Sequence, residues 1–114
     1  MYARYAGVVK VRYHDVEICE GEIEEFCQKW RIRELSLFGS LLREDFGPTS
    51  DVACLVVFEP DADWSLLDVI AADQELSILL GRSVDLVEKP VVQSSANWIR
   101  RRHILDSART IYAR

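Results

Sequence analysis

A chain of 114 residues, 49% hydrophobic and 29% charged, is long enough for one domain with a real core and too short for two. No apolar run approaches the ~18 residues of a membrane span. The opening MYARYAGVVKVRYHD has neither the apolar stretch nor the small-residue cleavage site of a signal peptide, so the expected address is cytoplasmic. Net charge is −5, yet Arg100, Arg101, Arg102, Arg109 and Arg114 crowd the C-terminal end, where Asp106 is the only acid. An acidic body of this kind is a poor general binder of nucleic acid, whose phosphates demand a basic face. The basic end reads equally as a solvated helix face or as a surface for an acidic partner or nucleotide.

Along the chain, apolar and polar residues alternate from Val9 to His14, which predicts a short half-exposed strand, free to pair between subunits. Residues 1–20 read as an extension of a single 1–114 domain. Ile23, Phe26, Cys27 and Trp30 fall at i, i+3, i+4 and i+7 and predict one apolar stripe on a helix spanning 21–30. Residues 34–38 predict a strand running into Gly39-Ser40, and 41–46 a short helix closed by Gly47-Pro48. The run from Asp51 to Phe58 has the near-continuous apolar character of a strand buried on both faces. A helix follows from Trp64 to Leu80, with Asp63 as its cap and Trp64, Leu67, Ile70, Ala71, Leu76, Leu79 and Leu80 as most of its buried stripe. Ser83 to Val87 is a further strand, ended by Lys89-Pro90, and a last helix starts near Asn97. Residues 108–112 either continue that helix or form an edge strand. The pattern is α+β or α/β-like, with helices packed on a small mixed sheet. Cys19, Cys27 and Cys54 have no metal-ligand spacing, and the last two read as small core residues. His14 and His103 read as exposed or packing residues.

One constellation carries chemistry. A strand that ends in Gly39-Ser40 presents free backbone N–H groups, and glycine lets a phosphate approach the main chain closely. Ser40 adds a hydroxyl, and Arg43, one turn on, a cation for a polyphosphate. Ten residues separate Ser40 from Asp51. Residues 51 and 53 point to one face of their strand, because side chains alternate. Asp85 stands mid-strand in Ser-Val-Asp-Leu-Val, where a buried charge needs a partner, and a cation shared with Asp51 would supply one.

Gly-Ser, ten residues, Asp, and a later strand Asp together resemble the DNA polymerase β-like nucleotidyltransferase superfamily, most of all its minimal branch, MNT. The resemblance runs from about residue 23 to 112 through Leu37-Phe38-Gly39-Ser40-Leu41-Leu42-Arg43, Ser50-Asp51, Gly81-Arg82-Ser83-Val84-Asp85-Leu86-Val87 and Asn97-Trp98-Ile99-Arg100. It implies a polymerase-β-like fold and nucleotidyl transfer from ATP or another NTP, with pyrophosphate leaving. Gly39 and Ser40 would hold the phosphates, Asp51 and Asp85 would ligate Mg²⁺, and Asp85 would help activate the attacking hydroxyl. It also implies a helical HEPN-type partner, which some MNT antitoxins adenylylate. The departure is Ala53, which stands where the family has its second metal-binding Asp. Two-metal transfer needs ions ~3.5–4 Å apart that are bridged by carboxylates. Asp51 and Asp85 alone suit a single Mg²⁺, completed by water and phosphate. The expected protein is therefore an antitoxin-like partner with an impaired nucleotide–Mg²⁺ site, the alternative being an active adenylyltransferase.

Overall fold

The computed structural model describes residues 10–114. In chain order these form β1 (Lys10–Tyr13), β2 (Val16–Cys19), α1 (Glu20–Lys29), β3 (Ile32–Phe38), a 3₁₀ turn (Gly39–Leu42), β4 (Val52–Phe58), α2 (Leu66–Leu80), β5 (Val84–Glu88), α3 (Lys89–Gln93), α4 (Trp98–Ser107) and β6 (Arg109–Ala113). Four strands make the mixed sheet β5-β4-β3-β6, and β1 and β2 form a separate hairpin. The α+β expectation holds: β3 is antiparallel to both β4 and β6, while β4 and β5 run parallel.

Strand alternation gives the sheet two different faces. Leu35, Leu37, Val52, Cys54 and Val56 point one way and join Ile23, Phe26, Cys27 and Leu76 in the core. Burial pushes the Cys27 and Cys54 thiols up to about 12, so both stay neutral as small core residues. The other face carries Ser36, Phe38, Ala53, Leu55, Asp85 and Val87, and its β4–β5 end meets α3.

Several elements differ from the sequence reading, each for a physical reason. The strand expected at 9–14 is not left unpaired: β1 pairs antiparallel with β2, Lys10 opposite Cys19, and Val9 lies outside the described residues. The unforeseen β2 alternates buried Val16 and Ile18 with exposed Glu17, a period-2 signal only four residues long. The helix expected over 41–46 is instead a four-residue 3₁₀ turn closed by an Arg43 N–H bond to the Ser40 carbonyl, 2.9 Å. Six residues cannot offset the cost of helix nucleation unaided, and Phe46 turns away to stack on His14.

Helix α2 starts two residues later than expected. Ser65, not Asp63, caps it in a reciprocal box, with the Asp68 N–H donating to the Ser65 hydroxyl (3.2 Å) and the Ser65 N–H to the Asp68 carboxylate (3.0 Å). Trp64 instead donates its indole N–H to the Trp30 carbonyl, 2.7 Å. Of the expected stripe only Leu76 and Leu80 are buried, in an i, i+4 row with Ala72, which that stripe does not include, and Leu79 flanks them. Leu67, Ile70 and Ala71 are exposed, because α2 packs over the edge strand β5 with half its circumference open. Ser65→Ala should cost about 1 kcal/mol, read as a lower urea midpoint at unchanged slope.

Lys89-Pro90 ends β5 as expected but also begins α3, where proline in the first turn loses no helical hydrogen bond. Asn97 caps α4 by accepting the Arg100 N–H, 3.1 Å. The undecided segment resolves as an edge strand: Ala108 leaves the helix in extended backbone and β6 pairs with β3. No helix among the described residues is long and apolar enough to cross a membrane.

Candidate functional site

At the C-terminal end of β3 the chain turns sharply through Gly39 at φ +78°, a left-handed conformation that side chains disfavour. A Cβ built on Gly39 would lie 3.6 Å from the Ala53 Cβ, so the cradle and position 53 touch. Ala53 is also the register partner of Phe38 on one side and of Asp85 on the other. Register-paired residues share a face, and so do residues two apart on a strand. Ala53 and Asp85 therefore project from one face of the sheet, beside the glycine turn and two residues on from Asp51.

Both carboxylates are exposed. The premise that Asp85 is buried mid-strand and must be neutralised is thus corrected: it opens into a cleft, on the face away from the apolar core. Asp51 immediately precedes β4, and ideal strand spacing puts its α-carbon about 8 Å from that of Asp85 (~6.6 Å along, ~4.8 Å across). That separation lets two carboxylates reach one cation from opposite sides. Among the described residues no group of three His, Cys, Asp or Glu converges on a point. Two carboxylates would hold at most a single Mg²⁺ completed by water and phosphate, fewer than the ligands that bridge a pair of ions.

Ser40 is half-buried in the 3₁₀ turn beside Gly39. Arg43 differs from its expected helical placement: it follows the turn in extended backbone, exposed, with Nε donating to Asp45 Oδ1 at 3.2 Å. Sequence reasoning missed the cleft beside Ala53. It measures about 370 Å³, with Phe38, Ala53, Asp85 and Val87 as its sheet side. Val91 and Val92 of α3 and Ile104 of α4 make it apolar, and Arg100 and Arg101 bring cations to it. Arg101 also donates to the carbonyls of Gln93 (3.3 Å) and Ser95 (3.1 Å), tying α4 to the end of α3. The only sequence signal for this wall was the basic cluster itself, which reads equally as a solvated face.

Asp85 faces a cleft with apolar and cationic walls, and Asp51 and the glycine turn lie close by along the strands. The nucleotidyltransferase-domain family model matches residues 20–111. The protein adenylyltransferase MntA of Thermococcus cleftensis is 39% identical over 71 residues, 62% of this chain and 70% of that one. MJ1217 of Methanocaldococcus jannaschii, provisionally named a protein adenylyltransferase, is 40% identical over 63 residues, 54% of this chain and 61% of its own length. The match thus spans less than two thirds of that relative. Among solved structures, a complex of an AMPylated HEPN toxin with its MNT antitoxin from Shewanella oneidensis contains a similar fold. Its TM-score is 0.55 at 16% identity, over 83% of this chain and 70% of that one. The chain belongs to the nucleotidyltransferase domain family and, within it, to the minimal nucleotidyltransferases.

Proposed function

We propose that this chain binds a nucleoside triphosphate with one Mg²⁺ and works mainly as the antitoxin-like partner of a HEPN-type protein, its transfer chemistry impaired by Ala53. The observation that carries this reading is the position of Ala53, against the Gly39 turn and in register with Asp85, together with the family resemblance, which implies a second metal-bridging carboxylate at residue 53. Gly39 and Ser40 receive the phosphates, and Asp51 and Asp85 hold the ion. Arg43, Arg100 or Arg101 offsets phosphate charge. The bound ion would neutralise charge on the phosphates. Binding of this kind needs only two carboxylates, whereas transfer through a metal pair needs all three. The partner assignment is supported by the Shewanella oneidensis complex and by the exposed Trp98 and Ile99 on an arginine-rich α4.

Calorimetric titration with ATP in Mg²⁺ tests the binding claim. Asp51→Asn and Asp85→Asn should each weaken affinity by at least about 10-fold, and equal affinity in both variants would remove these residues from the site. Co-expression with a HEPN-type toxin tests the partner claim. A stable complex and unimpaired neutralisation by Asp51→Ala are expected, and neutralisation lost with Asp51→Ala would overturn it.

The second reading, an active adenylyltransferase that moves AMP from ATP to a protein or small-molecule hydroxyl, draws on the name of the Thermococcus cleftensis relative. Mg²⁺-dependent labelling of the toxin by the unmodified chain would favour it.

A further inference from the structure

The β1–β2 hairpin lies outside the residues that match the family, which begin at 20, yet it is built into the candidate site. Val16 and Ile18 anchor it in the core at 0% and 4% exposure. Its turn then reaches the segment that follows the glycine cradle. The His14 Nε2–H donates to the Arg43 carbonyl at 2.6 Å, a carbonyl being able only to accept. The His14 ring stacks on Phe46, with centroids 5.1 Å apart at 28°. The guanidinium of Arg82 also stacks on Phe46, 4.4 Å from its centroid, so a histidine and an arginine share one aromatic ring.

Arg82 does more than stack. Its Nη1 donates to Asp15 of the hairpin turn at 2.8 Å, and its Nη2 donates to the carbonyls of both Gly47 and Ser50 at 2.7 Å. The side chain is only 14% exposed. Asp51 is thereby fixed from both neighbours: the Ser50 carbonyl is held by Arg82, and the Val52 N–H donates to the Ser83 carbonyl at 2.8 Å. Arg82 itself stands three residues before Asp85, so a single side chain ties together the backbone leading to both carboxylates.

We propose that the hairpin turn and Arg82 form a clamp that sets Asp51 against Asp85, with His14 and Arg82 as positioning residues. The inference rests on the reading of these two aspartates as the metal-binding pair. The segment from Arg43 to Ser50 carries no regular structure, and besides its own Gly47–Ser50 hydrogen bonds these contacts are what tie it to the rest of the fold.

The test uses the full chain with three substitutions. His14→Gly keeps the φ +58° turn backbone comfortable while removing the ring. Arg82→Gln removes the guanidinium contacts, and Arg82→Lys retains a cation for Asp15. Amide exchange over residues 43–51 should quicken about 10-fold or more in His14→Gly and Arg82→Gln, with β3 and β4 protection unchanged. Mg²⁺–ATP affinity should fall about 10-fold, ATP affinity without metal should stay put, and Arg82→Lys should recover part of the loss. Unchanged loop exchange, or faster exchange at unaltered Mg²⁺–ATP affinity, would overturn the clamp. Should Arg82→Gln not fold, His14→Gly decides alone. If the unsubstituted chain binds no Mg²⁺–ATP, the proposed function falls, and the exchange comparison still decides whether the hairpin holds the loop.

Discussion

Ala53→Asp should raise Mg²⁺-dependent transfer of AMP from labelled ATP to a HEPN-type acceptor by at least about 100-fold. Loss of a partner that merely orients a metal ligand costs ~10–100-fold, and a bridging ligand has a more direct role. The backbone is ready for the substitution: residue 53 is the register partner of Asp85 and faces the cleft. On its other side stands Gly39, with no side chain of its own to collide. The added carboxylate has a cost without metal, since Asp51 and Asp85 already concentrate negative charge on that face. The variant should therefore melt below the parent in a chelator and regain the difference as Mg²⁺ is added, following the logarithmic dependence of stability on ligand concentration. Labelling that stays at the parent level, with Mg²⁺–ATP binding intact, would show that Ala53 is not what limits transfer.

Leu37→Ala should cost about 2–5 kcal/mol, a large share of the ~5–15 kcal/mol that holds a domain together. Leu37 is fully buried on β3, between Cys54 of β4 and Arg109 of β6 in the ladder. It also stands two residues before the Gly39 turn. A cavity there removes packing from the strand that ends in the glycine turn. The melting temperature should fall by more than about 10 °C, and calorimetry or urea unfolding with an unchanged slope measures it. A fall of only a degree or two would mean that the core closes over the gap.

How much of this was legible in the sequence depends on the range of the interaction. Helix α1 announces itself through Ile23, Phe26 and Cys27, because a 3.6-residue period over ten residues is local and strong. The buried β4 is equally plain from its apolar run. The site's linear spacing, Gly39 to Asp51 to Asp85, could be read, and the structure brings positions 39, 53 and 85 side by side. What was not legible lies in contacts between distant segments. Leu67 and Ile70 have the spacing of a buried stripe, but α2 sits over an edge strand that leaves them outside. Arg43 reads as helical only if the residues after Ser40 have room to propagate a helix, and Phe46 is drawn instead to His14 and Arg82. The exposure of Asp85 depends on where α3 and α4 lie, which no short stretch of sequence encodes.

The order of the strands also bears on when the site comes into being. Strand β3, which ends in the glycine turn, has β4 on one side and β6 on the other. Its second neighbour begins at Arg109, some seventy residues further along. During synthesis β3 must therefore wait, with one ladder open, until nearly all of the described chain has been made. Long-range pairing of this kind closes slowly and leaves an unpaired edge available to other chains in the interval. The outer edge of β3 would be the last part of the sheet to become rigid, whereas the β3–β4 and β4–β5 pairings that set positions 39, 53 and 85 side by side need only residues made before β6.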